Sequence, residues 1–312
     1  MDYSVIIPCY NEAKNINELF SKLLPVLTAL NSNYEIICIN DGSDDSTLDE
    51  LRQQLELCDS LTILDLSRNF GKEIALTAGL DHAQGEYVIT MDADLQHPPE
   101  LIPEFIKKIS EGHDVVYGQR VLRNSVDSVG HNFFVSIFYK LMHEFAEVPL
   151  VKDAGDFRLM KRQVVEALKS LPEKKRFMKG LYAWVGFNQA ALTFEAPVRA
   201  QGESAWSNLK LIRFAIDGIV SFTSAPLRIW SWLGIVIASI SGLYSFTIIL
   251  QTLLYGRDIP GYATLAVSIF FLSGVILISI GVLGEYISQI FTEVKNRPSY
   301  IVRDLIQKEN DD

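Results

Sequence analysis

The run Tyr87-Val88-Ile89-Thr90-Met91-Asp92-Ala93-Asp94-Leu95-Gln96 decides how this chain reads. Its first five residues, rich in β-branched and aromatic side chains, predict a buried strand, and Pro98-Pro99 stops the run soon after. Between strand and prolines stand two carboxylates and an amide at alternate positions. Alternate residues of an extended chain face the same way, so Asp92, Asp94 and Gln96 are expected to converge just past a strand end. Oxygen donors so spaced suit Mg2+ or Mn2+, hard cations that take one or two carboxylates and complete their shell with water and substrate phosphates. Such a site would hold a diphosphate. A bare Asp-x-Asp is also common as an acidic turn, and the context has to choose between the two.

Working outward, residues 4 to 119 alternate strand and helix. Strands are expected at Ser4 to Cys9, Tyr34 to Asn40, Leu61 to Leu66, Tyr87 to Met91 and Asp114 to Tyr117. Helical spacing runs from Ile16 to Leu30, with a kink expected at Pro25, then from the capping run Asp41 to Ser46 to near Cys58, and over 72–83 and 99–111. This predicts a doubly wound α/β sheet, in which ligands bind beyond the carboxyl ends of the strands. The polar clusters Pro8 to Glu12, Asn40 to Asp45, Ser67 to Lys72 and Asp92 to Gln96 fall at those ends. Neither Gly-x-Gly-x-x-Gly after a strand nor Gly-x-x-x-x-Gly-Lys-Ser/Thr occurs, so a metal is expected to hold the phosphates. Further on, helices are expected at about 126–146, 161–170 and 174–185, a turn at Gly155-Asp156-Phe157-Arg158, and a strand near 189–196.

The 312 residues allow one large domain or two small ones, and 48% hydrophobic content is high for a purely soluble protein. A formal charge of -10 argues against a general nucleic-acid binder. Cys9, Cys38 and Cys58 lack a Cys-x-x-Cys spacing and read as buried thiols of a reducing compartment. Met1-Asp2-Tyr3 carries no basic n-region and runs into a strand, so no cleavable signal is expected and the first domain should stay in the cytoplasm.

The last third changes solvent. Ile229 to Gly256 is 28 residues without a charge and Ile259 to Gly284 another 26, each more than the roughly 20 needed to cross a bilayer. Two spans are expected, at about 229–254 and 262–287. Arg213 and Arg228 precede the first, and Lys295, Arg297 and Arg303 follow the second, whereas the connecting loop holds only Arg257 beside Asp258. Both termini are therefore expected on the cytoplasmic side. Gly242, Gly274, Gly281 and Gly284 would let helices approach closely, as in a homo-oligomer held through the spans. The apolar stripe of Leu209, Ile212, Ile216, Ile219, Val220 and Phe222 fits an interfacial helix over 207–227 or one packed on the first domain. Domain bounds follow: 1–206 cytoplasmic, 207–227 interfacial, 228–288 in the membrane, and 289–312 a cytoplasmic tail.

Val5-Ile6-Ile7-Pro8-Cys9-Tyr10-Asn11-Glu12, Asn40-Asp41-Gly42-Ser43, Ser67-Arg68-Asn69-Phe70-Gly71-Lys72 and Asp92-Ala93-Asp94-Leu95-Gln96-His97-Pro98, in that order, resemble a family-2 glycosyltransferase of GT-A fold. More narrowly the chain resembles the polyprenyl-phosphate glycosyltransferases, a group that includes dolichol-phosphate mannose synthase and the bactoprenol glucosyltransferases. Gly155 to Met160, Phe177 to Gly180, Pro226 to Arg228 and Gly281 to Ile287 favour the bactoprenol branch. The resemblance implies that Pro8, Tyr10, Glu12, Ile39 and Asp41 surround the nucleoside, that Asp92 and Ala93 add nucleotide contacts, and that Asp94 and Gln96 hold the metal. It further implies that Arg120, Lys179 and Arg199 lie near the phosphates. Some relatives carry a lysine six residues after the position of Arg199, where this chain has Ala205; either Lys210 substitutes or fewer cations close the site.

The expected activity is inverting transfer of a hexose, glucose from UDP-glucose, to polyprenyl phosphate at the cytoplasmic membrane face, giving a lipid-linked sugar for the cell envelope. Alternatives are a GDP-mannose-dependent mannosyltransferase, or a non-catalytic scaffold or flippase subunit. A phosphate monoester is largely dianionic at neutral pH and needs no base, so Asp156 is open to three roles: base, orienter of Arg158, or turn residue. Arg120, Arg123 and Arg158 are candidates to grip the acceptor phosphate.

Overall fold

The computed structural model describes residues 1–120, 154–174, 176–194, 225–255 and 261–308. Five strands open the chain: β1 (Tyr3–Cys9), β2 (Tyr34–Asn40), β3 (Leu61–Leu66), β4 (Tyr87–Thr90) and β5 (Val115–Arg120). Helices α1 (Ala13–Ala29), α2 (Thr47–Leu57), α3 (Lys72–His82) and α4 (Ile102–Ser110) alternate with them. Then follow β6 (Ala154–Lys161), α5 (Arg162–Ser170), α6 (Met178–Trp184), β7 (Gln189–Phe194), two long helices α7 (Ala225–Tyr255) and α8 (Tyr262–Val294), and β8 (Val302–Gln307).

One eight-stranded sheet runs in the order β7-β5-β6-β4-β1-β2-β3-β8. Its centre is parallel, β4, β1, β2 and β3 side by side, while β6 and β8 run antiparallel to their neighbours, so the sheet is mixed. Strand alternation divides the core in two. Val5, Ile7, Cys9, Ile36 and Cys38 meet α1, α2 and α4 on one face, and Ile6, Ile37 and Ile39 meet α3, α5 and α6 on the other. The three cysteines are buried free thiols, as expected.

One expectation changes. Gly155-Asp156-Phe157-Arg158 is not a turn but part of β6, which runs between β4 and β5; Arg158 pairs with Thr90 on one side and Tyr117 on the other, and the register with β5 shifts between Tyr117 and Gln119. Within the expected C-terminal tail, β8 extends the sheet along β3, giving that edge a partner. Helix α1 continues through Pro25 to Ala29. The segment at 126–146, the stripe up to residue 224, and Arg123, Arg199, Ala205 and Lys210 lie outside the described residues.

Among the described residues, Phe271–Val294 within α8 is the one helical stretch long and apolar enough to cross a membrane: 24 residues of mean hydropathy 1.8, with no part buried. α7 is 31 residues long and contacts α8.

Candidate active site

The loops after β1, β2, β3 and β4 meet at the carboxyl ends of the parallel strands, and short hydrogen bonds lock them together. Asn11, at φ 57, donates its backbone N–H to Ser43 Oγ at 3.1 Å and accepts Asp44 N–H at 2.9 Å. Glu12 N–H reaches Thr47 Oγ1 at 2.9 Å. Gly42 takes φ 64, and a Cβ there would stand 2.4 Å from the Arg68 carbonyl carbon, so the turn admits only glycine. Asp41 spends both carboxylate oxygens on the next loop, accepting Phe70 N–H at 2.7 Å and Gly71 N–H at 2.9 Å. It is 2% exposed. Asp41 therefore braces two loops; its side chain is not displayed to a ligand. Ile39 and Ala93 are likewise buried and offer a nucleoside only their backbone. Tyr10 is exposed, and Pro8 and Glu12 are half-buried at the cleft.

After β4 the burial alternates residue by residue: Asp92, Asp94 and Gln96 are half-buried, while Ala93, Leu95 and His97 turn inward. The exposure of the three polar residues alternates with that of their neighbours, although Leu95 takes φ 62 and the chain is not extended there. Asp92 pairs with Lys72, Asp94 Oδ1 accepts Gln96 N–H at 3.1 Å, and Gln96 Oε1 accepts from Arg120 Nη2 at 2.7 Å. His97 supports the turn from behind: its Nδ1 accepts Asp92 N–H at 3.0 Å and its ring stacks on Phe157. Burial lowers its pKa, and the acceptor role of Nδ1 places the proton of the neutral ring on Nε2.

Lys72 is the residue that reading the motif left without a task. Its Nζ lies 2.6 Å from Asp92 Oδ1 and 2.6 Å from Asp156 Oδ2, bridging the turn after β4 to strand β6. Burial works against its charge, yet the two carboxylates hold its pKa above the ordinary lysine value. Asp156 is 8% exposed; burial raises it, but Lys72, Lys179 and Arg158 outweigh that and hold it well below the usual carboxylate range. Its second oxygen, Oδ1, is buried and has no hydrogen-bond partner among the described residues. A signal for Lys72 existed: it is the one lysine in the four strand-end clusters, set at the first turn of α3 after Gly71 at φ 97.

Glu73 accepts Met178 N–H at 2.9 Å, which sets α6 and its half-buried Lys179 against α3. Burial, with Asp156 nearby, pushes its carboxyl up to about 7. Arg158, expected among the grips on the acceptor phosphate, is buried. It is 3% exposed, its guanidinium carbon lies 4.2 Å from the Tyr182 ring centroid and 5.2 Å from that of Tyr117, and Nε donates to Gly155 O at 3.1 Å. Strand placement sinks it beneath Asp156.

The half-buried Asp94 and Gln96 carry hard oxygen donors of the kind a divalent cation takes, and among the described residues no group of three or more His, Cys, Asp or Glu that could hold a metal is present.

Residues 4–169 match the Glycosyl transferase family 2 profile, and residues 225–290 match the GtrB C-terminal hairpin. An uncharacterized glycosyltransferase of Synechocystis is 50% identical over 98% of this chain and 96% of its own length. A prophage-derived bactoprenol glucosyl transferase of Shigella flexneri is 43% identical over 97% and 98% respectively, and a prophage bactoprenol glucosyl transferase homolog of Escherichia coli 42% over 97% and 99%. Solved structures align less well: glucosyl-3-phosphoglycerate synthase from Mycobacterium tuberculosis reaches a TM-score of 0.46 over 70% of this chain and 77% of its own, at 17% identity, so the assignment rests on sequence. With both profiles matched in order and relatives aligned from end to end, the chain is a member of glycosyl transferase family 2 that carries the GtrB C-terminal hairpin.

Proposed function

We propose that this enzyme transfers glucose from UDP-glucose, with inversion, to a polyprenyl phosphate at the cytoplasmic face of the membrane. The observation that carries the reading is the end-to-end similarity to bactoprenol glucosyl transferases, hairpin included. Asp94 and Gln96 are the residues that would hold Mg2+ or Mn2+; when bound, the cation offsets charge developing on the departing diphosphate. Arg120, hydrogen-bonded to Gln96, has a planar fork suited to phosphate oxygens, and Lys179 is taken as a second cation for the diphosphate. Arg199 and Arg123 are kept as proposed phosphate contacts from the sequence.

Asp156 fits an orienting charge. A carboxylate held well below its ordinary pKa is a poor base at neutral pH, whereas a phosphate monoester arrives largely dianionic. Lys72 fixes Asp156 against Asp92, and the unpartnered Oδ1 is set to accept a hydrogen bond from donor sugar or acceptor. This arrangement of opposed charges is hard to reconcile with a degenerate scaffold.

Sheet topology supports two membrane crossings. Strand β8 pairs with β3, so residues 302–307 lie on the same side of any bilayer as β1 to β5. The chain would then cross an even number of times between β7 and β8; with Phe271–Val294 as one crossing, we assign the other to the 31-residue α7.

The test is to incubate membranes containing the protein with a panel of radiolabelled nucleotide sugars and extract the lipid. Label from UDP-glucose in the lipid phase is expected; label from GDP-mannose alone would replace glucose with mannose, and no labelled lipid from any donor would leave the scaffold reading.

A further inference from the structure

Strand β8 does more than close a sheet edge. Arg303 on it and Ile301 just before it are fastened to the loop after β3, which leads into Lys72. Ser67 N–H donates to Ile301 O at 2.9 Å, and Arg303 Nη2 donates to Ser67 O at 2.8 Å. Arg303 Nη1 lies 3.4 Å from Asp65 Oδ2, and the other oxygen of Asp65 accepts Asn40 Nδ2–H at 2.7 Å. Asn40 in turn accepts Ser43 N–H on its Oδ1 at 3.3 Å. The Arg303 guanidinium thus stands at the head of a chain that ends in both loops flanking the cleft, the one after β2 and the one after β3.

We propose that Arg303 is a positioning residue for the donor nucleotide, acting through Asp65, Asn40 and Ser67, and that the membrane hairpin is coupled to the donor site by this route. The inference rests on the reading that the loops after β2 and β3 hold the donor. An exposed ion pair alone would contribute little. Asp65, however, is 3% exposed, and without Arg303 one oxygen of a buried carboxylate loses its partner, which costs far more than a surface pair and frees the side chain to let go of Asn40. The connection is short: seven residues separate the end of α8 from β8, and the stretch is pinned along the way. Tyr300 donates its hydroxyl to Asp81 Oδ2 at 2.9 Å, and Glu293, in the last turn of α8, accepts Lys174 N–H at 2.8 Å.

The experiment uses the full chain in nanodiscs, comparing wild type with Arg303→Ala, Arg303→Lys and Lys308→Ala, the last removing a neighbouring surface pair with Asp59. Two quantities are read: KM and kcat for UDP-glucose, and hydrogen exchange of segments 40–47 and 65–72 without substrate. Arg303→Ala is expected to raise the KM about tenfold with a smaller change in kcat, the loss of a charge-assisted contact. It should also speed exchange in those two segments while the β3–β8 ladder stays protected. Arg303→Lys should recover part of both effects and Lys308→Ala should show neither. Unchanged KM and exchange in Arg303→Ala would overturn the proposal, as would a general rise in exchange throughout β3 and β8, which would make Arg303 a strand fastener only. Because exchange needs no donor, it decides the bracing even if wild type ignores UDP-glucose, an outcome that would count against the assigned donor instead.

Discussion

Lys72 shows how a single side chain can set the state of a site. Placed 2.6 Å from each of two carboxylates, it keeps Asp156 ionised and ties the turn after β4 to β6. Lys72→Ala is expected to lower kcat by about 10²–10³, the scale seen when one preorganised charge is removed from an active site, and to lower the melting temperature as well, because the buried Asp156 carboxylate loses its ion-pair partner. Turnover within a few-fold of wild type would show the bridge to be dispensable. Glu73, its neighbour, gives a pH signature. Its folded pKa of about 7 lies above its unfolded value, so the stability it contributes is complete below about 4.3 and is lost as pH rises through about 7. Thermal melts between pH 5 and 8 should therefore fall less steeply for Glu73→Gln than for wild type; parallel curves would contradict the shift. Asp156 has the opposite sign: its share is present above the ordinary carboxylate range and fades only in strong acid. At this scale the sequence was partly legible. Spacing predicted alternation at Asp92, Asp94 and Gln96, but not that Leu95 would take φ 62, because a left-handed leucine carries no local signal. The burial of Arg158 was hidden for a related reason: period-two burial applies only once the stretch is known to be a strand.

Among the elements, α3 packs closely on the sheet. It crosses β1 and β2 at Gly79, where an added Cβ would stand 2.3 Å from Ile6 Cγ2 and 2.9 Å from Ile39 Cδ1. Gly79→Ala should cost roughly 1–3 kcal/mol by overpacking, offset in small part by the helical preference of alanine. Denaturant melts would measure it, and a neutral result would mean that α3 can shift outward without disturbing Lys72 at its start. The central strands were readable from apolar runs bounded by turn residues, to within one residue for β1 and to the residue for β2 and β3. β6 and β8 were not, since each depends on a partner remote in sequence: β6 enters between β4 and β5, and β8 pairs with residues about 240 positions earlier. Arg303 had been counted only as a basic flank of the membrane span, whereas the structure gives it a buried carboxylate to meet.

For the molecule as a whole, the returning strand and the apolar C-terminal helices underlie the proposed topology. The account has 257–261 as the segment outside the membrane, with both termini inside. A cysteine at Asp258, in a chain whose three native cysteines have been replaced, should react with an impermeant maleimide added to intact cells; reaction only after the membrane is opened would invert the arrangement. Such a layout leaves the carboxyl ends of β1 to β4 on the side where nucleotide sugars are made, with the acceptor delivered from the bilayer. The central claim is the transfer itself. Purified protein in nanodiscs should be given UDP-glucose, undecaprenyl phosphate and Mn2+, and the lipid product analysed by mass spectrometry and NMR. The account predicts one β-glucosyl phosphate lipid formed per UDP released, abolished by excess chelator and reduced to a few per cent or less by Asp94→Asn. UDP released with only free glucose, or full product formation in excess chelator, would contradict it.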